Sequence, residues 1–162
     1  MRLNEELDAV AKSLELDYFG VADLSPAKDF IQEFGAGIIP DFPFAISIGV
    51  ALPNAIVDLL PQRLEKQVVR AAYKASAYDL VNARLDYATS VISSKIQRAG
   101  GKAFPIPASS MADGKRLASH FSNKLAAHLA GLGWIGKSCL LVTPGNRPRV
   151  RWATVLGDAS LL

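Results

Sequence analysis

The sequence predicts an α+β domain, a sandwich in which a mixed, largely antiparallel sheet is flanked by helices. Three observations carry this expectation. Short apolar strand-like runs alternate irregularly with helical stretches, unlike the regular succession of a doubly wound parallel fold. Residues 63–99 contain no Gly or Pro, and apolar side chains recur through them at helical spacing. Two late runs, 139–143 and 149–156, flank Pro144-Gly145-Asn146-Arg147-Pro148 and read as a hairpin.

Residues 3–16 place Leu3, Leu7, Val10, Ala11 and Leu14 on one face with acids between them, which is an amphipathic opening helix. Residues 18–23 (YFGVAD) switch to a strand pattern, after which Ser25-Pro26 caps and starts a short helix that Gly35, Gly37 and Pro40 break. Residues 43–52 (PFAISIGVAL) are the most apolar stretch of the first half, rich in β-branched residues, and read as a central strand ended by Pro53-Asn54. The 63–99 stretch is long for one helix, so two helices, or one with a break near 75–79, are expected before Gly100-Gly101. KAFPIP (102–107) suits an edge strand, because proline cannot donate to a ladder, and ASSMADGK (108–115) is a polar loop.

At 162 residues, 50% hydrophobic and 20% charged, the chain has a globular composition and the length of one domain spanning 1–162. No apolar run reaches the length of a bilayer span and the charged start is unlike a secretion signal, so no membrane contact and a cytoplasmic address are expected. The net charge is +3, yet Lys115, Arg116, Lys124, Lys137, Arg147, Arg149 and Arg151 follow one another with no Asp or Glu between them. This basic interval could face an anionic cofactor, RNA phosphates or an acidic partner, or could be a solvated surface. The one cysteine, Cys139, excludes a disulfide framework, and its apolar neighbours predict an inert buried thiol. His120 and His128 stand eight residues apart, roughly 12 Å along a helix, too far to share a metal ion; no protein-ligated metal site is expected.

The chain is organised around HFSNKLAAHLAGLGWIGKSCLLV (120–142). Its centre, GLGWIGKS (131–138), satisfies both the phosphate-loop pattern and the dinucleotide fingerprint. Both motifs need a strand that feeds glycines opening a helix, whose first amides hold phosphate. Here Leu125, Ala126, Leu129 and Ala130 form a helical face before the glycines, and an apolar strand-like run follows them. The order is inverted. Gly131 is then expected as a helix C-cap, with Gly133 and Gly136 letting the chain turn closely past a core-filling Trp134. A nucleotide-binding enzyme remains the alternative that the pattern alone supports.

FPIPAS (104–109), SHFSNKLAAHLAGLGWIGKSCLLVTP (119–144) and PRVRWATVLGDASL (148–161), with YDLVN (78–82), together resemble the epoxyqueuosine reductase group of cobalamin-dependent iron–sulfur proteins and its relatives. The resemblance implies a nitroreductase-like fold carrying a corrinoid against the sheet and the glycine loop. In that family two 4Fe–4S clusters in a following cysteine-rich segment feed electrons to cobalt for a reductive step, in the named member on a modified tRNA nucleoside. It implies a cofactor-binding set of Pro107, Ser109, Lys124, Gly131, Gly133, Gly136, Lys137 and Ser138. The family's aspartate acid falls where this chain reads Arg116-Leu117-Ala118-Ser119-His120, which leaves His120 as the candidate proton donor. With a single cysteine this chain cannot hold the clusters.

The expected function is therefore the corrinoid-binding domain of such a reductase, truncated relative to it, inactive alone and completed by an iron–sulfur domain or protein. The substrate is a tRNA or a small molecule, and a homodimer is compatible with apolar surface left uncovered. A cobalamin carrier or protein-interaction module without catalysis is the competing reading.

Overall fold

A computed structural model describes residues 2–34, 42–109 and 121–158. In chain order they form α1 (Leu3–Ser13), β1 (Tyr18–Asp23), α2 (Lys28–Phe34), β2 (Phe44–Ala51), α3 (Asn54–Leu59), α4 (Gln67–Ala72), α5 (Leu80–Arg98), β3 (Ala103–Ile106), α6 (Asn123–Leu129), β4 (Trp134–Ile135), β5 (Leu141–Val142) and β6 (Val150–Gly157). The α+β expectation holds.

β1, β2, β6 and β3 form one sheet in that spatial order, and each neighbouring pair is antiparallel. β3, with Pro105 inside it, lies at the edge, where its missing amide hydrogen costs no ladder bond. β2 and β6 are central and buried on both faces, which is why they read as nearly continuous apolar runs. Ile46, Ile48 and Val50 of β2 join Ala153 and Val155 of β6 beneath Leu7 of α1 and Val81, Leu85, Ala88, Ile92 and Ile96 of α5. The opposite face holds Ala45 and Leu156 under Ile31 of α2, Ala126 of α6 and Phe121, which precedes α6. Ser47 and Thr154 sit opposite each other at the middle of the β2–β6 ladder, fully buried, and neither hydroxyl has a partner among the described residues.

The long helical stretch breaks where expected. α4 passes into α5 through a π-helical segment, Tyr73–Asp79, whose i→i+5 bonding inserts one extra residue per turn. Residues 63–66 are not helical, and α3, which starts at the Pro53-Asn54 strand stop, has no counterpart in the sequence reading. The second helix is preceded by a 3-10 turn, Ser25–Ala27, that has no side-chain cap, because Ser25 donates backward instead of capping: the Asp23 carboxylate accepts from the Ser25 hydroxyl and, at 2.8 Å, from the Ser25 amide. Those two bonds, the hydroxyl first, hold the Asp23 carboxyl below the usual carboxylate range.

The expected late hairpin is not formed. β5 pairs with β4, upstream of it, while β6 pairs with β2 and β3. The PGNRP stretch closes on itself instead. Thr143 and Arg147 exchange backbone bonds, the Thr143 hydroxyl donates to the Arg147 carbonyl and accepts from the Asn146 amide, and Arg147 takes a left-handed φ of 53°. With its ends tied, the turn sends residue 149 into register with β2, where the Leu52 amide meets the Arg149 carbonyl at 2.8 Å.

Thr154→Val keeps the shape of a buried side chain and removes an unpartnered hydroxyl. It should raise unfolding free energy by about 1 kcal/mol in a urea titration, whereas Leu85→Ala, at 0% exposure in the main core, should lower it by about 2–5 kcal/mol.

Candidate functional site

The site grows out of the C-terminal end of α6. Ser122 caps the helix start by accepting from the Leu125 amide at 3.3 Å. At the other end Gly131, with φ of +74°, donates to the His128 carbonyl, and Leu132 donates to that of Ala127. This is the paired closure of a Schellman cap, which needs a left-handed residue at that point, so Gly131 is the helix terminator its position predicts. A two-residue strand, Trp134–Ile135, follows Gly133, so these glycines do not open a helix.

From there the chain folds into the β4–β5 ribbon. The ring Nδ1 of His128 lies 3.0 Å from the Gly133 carbonyl; the carbonyl can only accept, so Nδ1 carries the proton. A Cβ on Gly133 would stand 2.3 Å from the Val142 carbonyl oxygen, so this glycine is required by close approach and not by a positive φ. The turn between β4 and β5 closes through Gly136 amide to Leu140 carbonyl and Cys139 amide to Gly136 carbonyl. Lys124, the second residue of α6, reaches across with its ammonium 2.5 Å from the Cys139 carbonyl.

Two sequence expectations fail here for one reason. The ribbon is two strands with no layer beyond it among the described residues, and Trp134 is 52% exposed there and fills no core. Cys139 is exposed as well, in a left-handed turn position with φ of 59°, and not in a buried strand. The buried tryptophan is Trp152 on β6, 6% exposed and tilted against the Tyr18 ring at 5.3 Å.

Beside the ribbon lies a cleft of about 590 Å³ bounded by Tyr73, Lys124, Leu140, Leu141, Arg151 and Trp152, among others. Its walls include two buried polar atoms with no partner among the described residues, the Trp152 indole N–H and the Asn123 side-chain oxygen. Of the predicted binding set, Lys124 lines this cleft. Pro107 is tied to its edge, its carbonyl accepting from Asn123 Nδ2 at 3.1 Å, and Ser109 shares a 2.8 Å hydrogen bond with the Tyr78 hydroxyl. Gly131, Gly133, Gly136, Lys137 and Ser138 lie on the adjoining ribbon, with Lys137 and Ser138 exposed, and do not line the cleft. His120, Lys115 and Arg116 fall outside the described residues.

Arg151, which the sequence placed in the basic interval as a candidate contact for an anionic group, is bound up inside the fold. Its Nε donates to the Ala77 carbonyl at 3.0 Å, its Nη2 to the Tyr73 hydroxyl at 3.4 Å, and its guanidinium covers the Tyr78 ring at 4.2 Å. A π segment interrupts the α-helical bonding pattern, and here the Ala77 carbonyl within it is satisfied from a neighbouring strand. The available signal was an arginine inside the apolar run VRWATVL. Among the described residues no group of His, Cys, Asp and Glu could hold a metal ion, and no helix is long and apolar enough to cross a membrane.

No protein-family model and no curated protein sequence matches the chain. Solved structures do. An epoxyqueuosine reductase in complex with an epoxyqueuosine-modified tRNA-Tyr stem loop matches at 18% identity and a TM-score of 0.51, over 96% of this chain and 45% of that one. The epoxyqueuosine reductase of Streptococcus thermophilus matches at 12% identity and a TM-score of 0.58, over 99% and 47%. A reductive dehalogenase whose structure suggests a mechanism for B12-dependent dehalogenation matches at 19% identity and a TM-score of 0.59, over 95% and 19%. At such identities what is shared is the fold, and the chain spans less than half of each of these proteins.

Gly133→Ala must push the β4–β5 ribbon apart and should lower the thermal midpoint by an amount equivalent to about 1–3 kcal/mol. Gly131→Ala meets no neighbour but strains the left-handed cap, at about 1 kcal/mol. Hydrogen exchange should show the first change loosening residues 133–142 and the second fraying α6.

Proposed function

We propose that this chain is a corrinoid-binding domain of a reductase, with the cleft between α6, β6 and the β4–β5 ribbon as the binding site. The observation that carries the reading is the position of that cleft in a fold shared with epoxyqueuosine reductases and a dehalogenase described as B12-dependent. The walls suit the group. Leucine and tryptophan side chains offer apolar surface to a ring, Lys124 supplies positive charge while that of Arg149 is paired with Asp58 at 2.7 Å, and the unpartnered Trp152 N–H and Asn123 oxygen match carboxamides, which accept and donate.

When bound, a corrinoid supplies a cobalt centre for electron transfer. The chain's own residues do the rest. Lys124 joins α6 to the ribbon through the Cys139 carbonyl, so its ammonium is anchored at the cleft and has donors left for an incoming oxygen. The apolar stretch from Leu140 to Leu141 excludes water from one wall. His120, two residues before the α6 cap, is the proposed proton donor. Electrons come from an iron–sulfur domain or protein, because one cysteine cannot ligate a cluster, and the domain is inactive without that partner. The reduced substrate is a modified tRNA nucleoside or a small molecule.

A carrier that binds the cofactor without turning over is the second reading, favoured by the absence of a carboxylate in residues 116–120.

Hydroxocobalamin titrated into the protein should change its visible spectrum saturably at one equivalent. Lys124→Ala should weaken that binding about tenfold or more, the range for losing a charge-assisted hydrogen bond. A spectrum identical to that of free cobalamin, with no retention on dialysis, overturns the proposal. Retention without substrate turnover, when an iron–sulfur reductant is supplied, would select the carrier.

A further inference from the structure

A second cleft opens next to the first and shares Leu60 and Tyr73 with it. It measures about 610 Å³ and is bounded by Leu60, Arg63, Arg70, Tyr73, Lys74 and Tyr78. The geometry points to a phosphate-binding site here, built from Arg63, Arg70, Lys74 and the Tyr73 hydroxyl and separate from the cleft assigned to the corrinoid.

The π segment creates the site. With i→i+5 bonding, residues five apart come to one face, whereas in an α-helix neighbours are three or four apart. Tyr73 and Tyr78 are five apart and both line the cleft; Lys74 and Asp79 are five apart and form an ion pair at 2.7 Å. α4 and the 3-10 turn at Leu60–Gln62 then bring Arg70 and Arg63 to the same opening.

The charges are largely uncommitted. Three cations line the cleft, Arg63, Arg70 and Lys74, against one paired carboxylate, Asp79, which leaves a balance of 3 − 1 = +2. The Lys74–Asp79 pair is exposed on both sides and therefore weak. Arg63 uses one N–H to grip the Leu60 carbonyl at 3.0 Å, which fixes the side chain and leaves the rest of its fork open. The Arg70 side chain has no hydrogen bond or ion pair among the described residues. Tyr73 accepts from Arg151 at 3.4 Å, so its own hydroxyl hydrogen is free to be donated. Two guanidinium forks, an ammonium and a phenol at one opening match the several equivalent oxygens of phosphate, for which arginine forks are geometrically suited. A single carboxylate would neutralise only half of the balance.

The phosphate can belong to a nucleic-acid backbone or to a small ester, and binding assays separate the two. The probes are a fluorescent single-stranded RNA oligonucleotide, read by anisotropy across a salt series, and adenosine 5′-monophosphate, read by calorimetry. The test protein is the Arg63→Gln/Arg70→Gln double variant, with Arg98→Gln/Lys102→Gln removing the same charge from the exposed end of α5. Both arginines of the test pair are exposed, so circular dichroism and the unfolding midpoint should stay at wild-type values.

If the source is a backbone, the test variant loses about tenfold in RNA affinity and its salt slope becomes shallower by about 1–1.5, while the control keeps both. If the source is a small ester, adenosine monophosphate binds the wild type and loses the same factor in the variant. Equal binding of both probes by wild type and test variant overturns the site, and so does an equal loss in test and control variants. Neither result depends on whether cobalamin binds.

Discussion

The nearness of α6 to the centre of the sheet is the constraint on which the remaining geometry rests. A Cβ on Gly20 would lie 3.0 Å from that of Ala130 and 3.1 Å from a Leu132 methyl, and one on Gly49 would lie 2.7 Å from the Trp152 ring. On β1 and β2 the sheet face beneath the helix is therefore made largely of residues with little or no side chain, Gly20, Ala22, Ala45, Ser47 and Gly49, and Ala126 and Ala127 answer them with 0% exposure. Small residues contribute little burial of their own, so this arrangement is costly in the middle of strands. What it permits is position. The helix end comes close enough for Gly131 to aim the chain at β5, for Gly133 to cross the Val142 carbonyl, and for Trp152 to be enclosed between layers.

A second support works by electrostatics. Arg151 stands in a strand that is apolar apart from it and Thr154, and each of its contacts goes to the π segment or to a residue near it: a carbonyl, a hydroxyl, a ring face and, at 3.5 Å, the Asn82 oxygen. Arginine suits this role because its donors are spread over a rigid plane, whereas a lysine would be a single point of charge. The central strand thereby holds the wall between two clefts, one largely apolar and one basic. Tyr73 belongs to both, so a change in the orientation of that ring is felt on either side.

The parts of this arrangement that could be read in the sequence are those governed by short-range periodicity. The helical spacing of Leu125, Ala126 and Leu129 and the stop at Gly131 located α6 and its end, and the length of 63–99 demanded a break that the π segment supplies. β2 announced itself by its β-branched run and β3 by its prolines. The errors came where two patterns are locally identical. An apolar run after a glycine looks the same in a core strand and in an exposed ribbon, so Trp134 and Cys139 were placed inside; what decides is whether a further layer covers the ribbon, which no local pattern encodes. Likewise Thr143 to Pro148 carries hairpin residues but closes as a self-contained turn, because the Thr143 hydroxyl satisfies its ends. Lys124 was placed at the site through resemblance to a family, while Arg63, Arg70 and Tyr73 come together only through irregular helix, the 3-10 turn at Leu60–Gln62 and the π segment at Tyr73–Asp79.

The left-handed turn at Cys139 has a practical consequence. The one thiol of the chain, Cys139, lies on the rim of the ribbon, exposed, with its backbone carbonyl held by Lys124 and the next residue, Leu140, lining the first cleft. A maleimide dye or a nitroxide attached there would label the native sequence at one defined point, without any cysteine having to be removed elsewhere. Such a label would sense occupancy of the cleft from its edge, so the unmodified protein already carries the attachment point for its own spectroscopic reporter.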